Sequence, residues 1–121
     1  MNKEKNVLVL AYLGDAIYEV YIREHLIKTI VKVDKLQKEA IKYVSAKAQA
    51  QIINKLIESN MLTEDELEIF YRARNHKCSR HPKNTDIITY KHATGFEAII
   101  GYLYLENKER LNKIINIILE D

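Results

Sequence analysis

Two acidic side chains lie in stretches of the sequence that are otherwise almost entirely apolar. Asp15 lies within LAYLGDAIYEVY (residues 10–21), and Glu97 is the only charged residue of segment 92–105. An ionised carboxylate in apolar surroundings costs several kcal/mol unless a base or a metal ion compensates it. If the two acids meet in the fold, they can share a divalent cation. A site with only oxygen ligands favours Mg²⁺, with Mn²⁺ as a substitute, over zinc.

The two acids also allow interpretations without a metal. Asp15 and Glu97 can each pair with a Lys or Arg from a neighbouring helix, or they can be two protonated or water-bridged acids. Glu19 lies four residues after Asp15, so the two share a helix face and repel each other. Gly14 adds a further cost of about 1 kcal/mol relative to Ala within a helix, and is tolerated where something approaches the backbone closely.

Positive charge is concentrated in one segment, residues 71–92. This segment has six basic residues and one acid, a net charge of +5, whereas the rest of the chain has a net charge of −3. Such clustering indicates an anionic partner, most commonly nucleic acid. We expect the basic side chains to bind the phosphate backbone of RNA: Arg72, Arg74, Lys77, Arg80, Lys83 and Lys91.

The same segment contains His76, Cys78 and His81, three residue types that can bind zinc. Their spacing matches no common zinc motif, and the flanking cations disfavour Zn²⁺. A Cys–His nucleophile pair is also disfavoured, because nothing in the sequence buries or orients it. A solvated loop that faces RNA is the better interpretation.

Length and composition indicate one domain over residues 1–121, with 47% hydrophobic residues to form a core. The single cysteine, Cys78, excludes an internal disulfide and fits a reducing, cytoplasmic setting. No apolar run approaches the roughly 18 residues of a membrane span. The charged start and early acid do not fit a signal peptide.

Hydrophobic periodicity predicts helices throughout and no convincing strand. Asp34 with Gln37, Ser45, and Thr63 with Glu66 form candidate N-caps. Pro82 and its polar neighbours predict a loop over 75–86. The sequence therefore predicts an all-α bundle of six or seven helices, over residues 4–30, 34–44, 45–60, 63–74, 91–106 and 107–119.

Two long motifs resemble those of the mini-ribonuclease III family, which is the catalytic domain of ribonuclease III without its double-stranded-RNA-binding domain. They are YLGDAIYEVYIREHL (residues 12–26) and PKNTDIITYKHATGFEAIIGYLYL (82–105). The resemblance covers essentially the whole chain. It implies the ribonuclease III endonuclease-domain fold and a homodimer in which each subunit contributes one active centre.

The resemblance also implies Mg²⁺-dependent hydrolysis of double-stranded RNA, leaving 5′-phosphate and 3′-hydroxyl ends. Mini-ribonucleases III mature precursor large-subunit ribosomal RNA, helped by a ribosomal protein. Asp15 matches the aspartate of the signature motif and Glu97 the glutamate of the C-terminal motif, so both are expected to bind metal and act in catalysis. Glu19 belongs to the mini-type pattern and is expected to position waters, a basic side chain or the dimer contact.

Two positions depart from full-length ribonucleases III. Those enzymes have a glutamate where this chain has Ala11 and an aspartate where it has Thr94. Both departures fit the mini type, but they reduce the acids at the site to two. The alternative function is therefore a catalytically inactive RNA-binding or ribosome-assembly module on the same fold.

Overall fold

The structure is a computed structural model that describes residues 5–76 and 86–120. These residues form six α-helices and no strand, which confirms the predicted all-α bundle. In chain order the helices are α1 Val7–Leu26, α2 Val33–Val44, α3 Ala46–Glu58, α4 Glu64–Arg74, α5 Ile87–Glu106 and α6 Lys108–Glu120.

Helix α5 is the centre of the bundle and contacts α1, α3, α4 and α6. Its Phe96 ring packs edge-on against the fully buried Tyr18 ring of α1, with the centroids 4.8 Å apart. The Tyr18 hydroxyl donates a hydrogen bond to the Tyr43 carbonyl at 3.0 Å, which satisfies the buried polar end of the ring. The core is therefore built around α5, with α1 as its most extensive neighbour.

Five of the six helices begin at side-chain caps, two of which are Asn6 before α1 and Asn107 before α6. The Ser45 hydroxyl accepts from the Ala48 N–H at 3.1 Å, and Thr63 and Glu66 form the reciprocal capping box predicted for α4. Asp86 accepts from the Thr89 N–H at 2.8 Å, so α5 begins at Ile87, four residues earlier than predicted. The side-chain cap at Asp86 stabilises this first turn, although the polar residues beside it favour a loop.

The predicted cap at Asp34 is wrong. Helix α2 already begins at Val33, and its N-cap residue, Lys32, makes no side-chain cap. Asp34 instead lies in the first turn, where a negative charge is favourable to the helix dipole. Helix α1 is also shorter than predicted, because the backbone after Leu26 forms a turn although Ile27 and Ile30 continue the apolar pattern.

None of the helices formed by the described residues combines the length and apolarity needed to cross a lipid bilayer.

One buried ion pair ties α4 to α6. Arg110 donates to both carboxylate oxygens of Glu66, at 2.8 and 2.9 Å, and to the Met61 carbonyl. Glu66 is only 2% exposed and also accepts from the Thr63 N–H at 2.9 Å. The carboxylate is therefore fully partnered, which is the condition under which a buried charge is tolerated.

Candidate active site

The two helices that contain the unusual acids cross at two glycines. A Cβ on Gly14 of α1 would overlap the carbonyl oxygen of Glu97, and a Cβ on Gly101 of α5 would overlap the carbonyl oxygen of Leu10. Only glycine permits backbones to approach this closely. The close approach explains the glycine within α1 and sets the position of the residue that follows it, Asp15.

Asp15 and Glu97 lie next to each other at this crossing. The pKa of the Glu97 carboxyl is raised from its ordinary 4.5 to about 8, first by burial and then by the charge of Asp15 and a side-chain hydrogen bond with Asp15. Asp15 is on the exposed side of the pair, and Glu97 is half-buried. The structure thus juxtaposes two acids that are 82 positions apart in the sequence.

A salt bridge to a Lys or Arg does not explain how the Glu97 carboxyl is accommodated among apolar residues. The side chains that shift its pKa are Asp15 and Gln49, and no Lys or Arg of the described residues is among them. The amide of Gln49 donates to Oε2 of Glu97 at 3.4 Å and is the one neighbour that lowers the pKa. Of the possibilities that the sequence allows, a shared cation and a shared proton both fit this geometry.

The donor set fits Mg²⁺ or Mn²⁺. It consists of carboxylate oxygens from two helices, and the exposure of Asp15 leaves the pair open to solvent and substrate. Mg²⁺ commonly takes one or two carboxylates and completes its shell with water and phosphate oxygens. No cluster of three or more His, Cys, Asp or Glu side chains occurs within 5–76 and 86–120, so these residues form no cage of protein ligands.

Neither position at which full-length ribonucleases III have a further acid supplies an oxygen to the pair. Ala11 is buried in α1. The Thr94 hydroxyl donates to the Tyr90 carbonyl at 3.0 Å, within its own helix.

Glu19 lies one turn after Asp15 and forms an ion pair with Arg23. Its Oε1 accepts from Nε of Arg23 at 2.9 Å, an (i, i+4) pair on the surface of α1. One of the three roles expected for Glu19, positioning a basic side chain, matches this contact.

Three of the six predicted RNA-binding residues lie within the described part of the chain. Arg72 donates to the Lys5 carbonyl at 3.4 Å, and the Arg74 guanidinium lies 4.7 Å from the centre of the Tyr71 ring. Lys91 is half-exposed in the first half of α5. The other three lie outside the described residues: Lys77, Arg80 and Lys83.

The suggested His–Cys cluster has only one member in the described residues, His76, because Cys78 and His81 fall outside them. His92 makes a different contact, between its Nδ1 and Oδ1 of Asn54 at 3.0 Å. Burial and, secondarily, the nearby charge of Arg74 lower the pKa of His92.

Sequence reasoning missed Gln49. It is 2% exposed and lies on α3 at the start of the stripe continued by Ile53 and Leu56. An amide at (i, i+4, i+7) spacing with two core residues was the signal that could have identified it.

Comparison with known proteins identifies the family. Residues 8–108 match the model of the ribonuclease III domain. The chain is 50% identical to a mini-ribonuclease 3 of Streptococcus pneumoniae, covering 92% of this chain and 88% of that protein. It is 53% identical to one from Brevibacillus brevis, covering 91% and 82%.

A solved structure agrees with the sequence matches. The crystal structure of a Fusobacterium nucleatum protein superposes with a TM-score of 0.84 at 39% identity, covering 97% of this chain and 93% of that one. The match of sequence and fold extends over both helices that contain the acid pair. The chain therefore belongs to the mini-ribonuclease III family within the ribonuclease III domain family, and it is an endoribonuclease.

Proposed function

We propose that this endoribonuclease hydrolyses double-stranded RNA at a Mg²⁺ ion held by Asp15 and Glu97, with Mn²⁺ as a substitute. The observation that supports this most directly is the juxtaposed acid pair, in which burial and Asp15 raise the pKa of Glu97. Two neighbouring carboxylates repel each other when both are ionised, and a divalent cation held by both would offset that repulsion. The pair is open to solvent on the Asp15 side, where an RNA phosphate has access.

Each acid has a defined task in this proposal. The exposed Asp15 and the half-buried Glu97, once Glu97 has lost its proton, would together hold the metal ion. When bound, Mg²⁺ lowers the pKa of water and offsets the negative charge that develops on the phosphate. Water adds to phosphorus and the P–O3′ bond breaks, which leaves a 5′-phosphate and, after proton uptake, a 3′-hydroxyl.

Duplex RNA is recognised by its backbone and shape, which is the usual mode for an A-form helix. The basic residues named above supply the phosphate contacts, and Arg72, Arg74 and Lys91 are partly exposed for this task. Glu19 and Arg23 hold each other in place beside the acid pair.

A homodimer accounts for an apolar face of α1 that this chain leaves uncovered. Leu8 is 40% exposed, Val9 57%, Tyr12 84% and Val20 53%. Apolar groups at this spacing on one helix face mark a protein contact, and a self-complementary contact produces a two-fold dimer. Because Asp15 is exposed on the same helix, each subunit of the dimer presents an acid pair and the two pairs cut the two strands.

The natural substrate class we propose is precursor large-subunit ribosomal RNA, processed in the cytoplasm with the help of a ribosomal protein. The proposal follows from the family resemblance, and the single cysteine fits a reducing compartment. We assign the whole of residues 1–121 to one catalytic domain. The alternative, a catalytically inactive RNA-binding or ribosome-assembly module, is favoured only by the missing acids at Ala11 and Thr94.

The central test is Asp15→Asn, which keeps the shape of the side chain and removes its charge. We expect Mg²⁺-dependent cleavage of an end-labelled RNA duplex to fall to the level seen with EDTA, while duplex binding is unchanged. Asp34→Asn on the exposed face of α2 is the matched control and should cleave normally. Cleavage by Asp15→Asn at the wild-type rate would contradict the assignment, and a wild type that binds but never cuts would favour the inactive module.

A second experiment separates RNA binding from catalysis. Changing Arg72, Arg74, Lys83 and Lys91 together to Ala should weaken duplex binding regardless of sequence and lower the salt slope of log K by about 1 for each phosphate that is no longer neutralised. The control changes four exposed lysines elsewhere to Ala: Lys28, Lys35, Lys38 and Lys113. An unchanged salt slope in the first variant would show that these residues do not contact the RNA.

A further inference from the structure

Gln49 is a buried polar side chain beside the acid pair. It is 2% exposed and lies in the first turn of α3, where its neighbours along the stripe, Ile53 and Leu56, belong to the core. Helix α3 packs directly on α5, and the Gln49 amide reaches Glu97 across this contact.

The orientation of this amide is fixed by a backbone group. Nε2 donates to the Val44 carbonyl at 3.1 Å and to Oε2 of Glu97 at 3.4 Å. A backbone carbonyl only accepts hydrogen bonds, so exchanging the nitrogen and oxygen of the amide would break the hydrogen bond to Val44. The side of the amide that faces Glu97 is therefore always a donor.

The contribution of Gln49 to stability does not by itself account for this arrangement. The amide oxygen, Oε1 of Gln49, is buried and has no hydrogen-bond partner within 5–76 and 86–120. A buried acceptor without a partner destabilises a fold, and an unbranched apolar residue would complete the α3 stripe without that cost. Among the described residues, Gln49 has two hydrogen-bond partners, the Val44 carbonyl and Glu97, and only the second belongs to the acid pair.

We propose that Gln49 is a positioning residue of the metal site, whose anchored amide holds Oε2 of Glu97 so that the carboxylate faces Asp15. This inference rests on the proposed function, because it assumes that the acid pair binds a divalent cation. A donor held against one carboxylate oxygen restricts rotation of the group and leaves the other oxygen, Oε1 of Glu97, free of contact with Gln49. Hydrogen-bonding partners of metal-binding carboxylates commonly tune affinity in this way.

The competing role is structural. The contact with Val44 spans the junction between α2 and α3, so Gln49 could serve only to connect these two helices. The two roles differ in what a substitution changes: a structural contact affects thermal stability, whereas a positioning contact affects metal affinity with stability preserved.

The test uses Gln49→Met, which keeps the length of the side chain and removes both its donor and its acceptor. Gln51→Met is the matched control, since Gln51 is exposed on the same helix. Binding of Mn²⁺ to the RNA-free protein is measured by calorimetry, thermal unfolding is measured without metal, and cleavage is measured as a function of Mg²⁺ and RNA concentration. Gln49→Asn, whose shorter amide cannot span both partners, keeps the site polar and serves if Gln49→Met does not fold.

We expect Gln49→Met and Gln49→Asn to bind Mn²⁺ about tenfold more weakly than the wild type. The Mg²⁺ concentration for half-maximal cleavage should rise by a similar factor, with the KM for RNA and the thermal midpoint little changed. Gln51→Met should behave as the wild type. Wild-type Mn²⁺ affinity in both Gln49 variants would overturn the proposal, as would a lowered thermal midpoint as the only effect.

Asp15→Asn, measured in the same calorimeter, separates this proposal from the one on which it rests. If Mn²⁺ binding requires Asp15 but is insensitive to Gln49, the positioning role is wrong and the acid-pair assignment stands. If Mn²⁺ binds equally well to Asp15→Asn, both assignments are wrong.

Discussion

Gly14 and Gly101 face each other where α1 crosses α5, and the backbone of each helix occupies the space that a side chain on the other would need. Asp15 adjoins the first glycine, and Glu97 lies one turn before the second. The spacing of the two acids is thus set by contact between backbones, which is less adjustable than contact between side chains.

Replacing Gly14 by Ala should destabilise the protein by about 3 kcal/mol, because the added methyl overlaps the carbonyl oxygen of Glu97. Ala is otherwise favoured over Gly in helices, so a loss of stability would report the overlap itself. Urea denaturation measures it. Gly95→Ala is the comparison: its Cβ would overlap the Phe70 ring, while the nearest backbone atom, the Phe70 carbonyl oxygen, is 3.2 Å away, and we expect a smaller loss. Equal or greater stability of Gly14→Ala would mean that the helices are not in backbone contact.

The metal-free protein should lose stability as pH rises toward 8. Folding raises the pKa of Glu97 above its ordinary 4.5 to about 8, chiefly through burial, so the folded state binds a proton more tightly than the unfolded state. The stabilisation is complete below the unfolded pKa and is lost as pH rises through the folded pKa. We expect a contribution on the order of 5 kcal/mol across this window, at about 1.4 kcal/mol for each unit of pKa.

Glu97→Gln isolates that contribution, because other groups also titrate in the same range. The unfolding free energies of wild type and Glu97→Gln are compared in EDTA between about pH 5 and about pH 9. As pH rises over this range, the wild type should lose stability relative to Glu97→Gln. Saturating Mn²⁺ should abolish the effect. A pH-independent difference would show that Glu97 does not hold a proton at neutral pH.

Tyr12 tests the proposed dimer face. It is 84% exposed, so Tyr12→Lys should leave the fold of the subunit intact while placing a charge in the contact. Analytical ultracentrifugation should show a dimer for the wild type and a shift toward monomer for the variant. Met61→Lys, at an exposed apolar residue after α3, is the control and should remain dimeric. If Tyr12→Lys remains a dimer, the dimer interface does not lie on this face of α1.

Arg110→Met should destabilise the protein by about 4 kcal/mol, because it leaves the buried Glu66 carboxylate without its cation. Adding Glu66→Gln should recover much of the loss, since glutamine serves equally well at the third position of a capping box. A double-mutant cycle by thermal or urea unfolding gives the coupling energy. A coupling near zero would indicate that the pair does not form in solution.

The sequence predicted the helices well where apolar periodicity and a cap agreed. Ser45 and Thr63 cap the helices assigned to them, and α5 ends at Glu106 as expected. The errors fall where one signal was present without the other. Asp34 is a residue type that commonly caps helices, but it lies inside the first turn of α2. Ile30 continues the apolar pattern of α1 after that helix has ended.

The acid pair was predictable because each acid interrupts an apolar helix and therefore requires a partner. Gln49 was not recognised, because a neutral amide requires no charged partner, although its spacing with Ile53 and Leu56 places it on the core stripe of α3. The Glu66–Arg110 pair was missed for another reason: the capping box already explained Glu66, and its second contact joins residues 44 positions apart.

Helix α2 contains no buried residue, although its Leu36, Ala40, Tyr43 and Val44 pack partly against the core. A helix held by so little buried surface opens more readily than its neighbours, so its amides should exchange with deuterium long before those of α1 and α5. The carbonyl oxygens of Tyr43 and Val44, at the end of this helix, accept from Tyr18 and Gln49. Local unfolding of α2 would therefore remove the carbonyl that anchors the Gln49 amide. The orientation of the Glu97 carboxylate would then depend on whether α2 is folded.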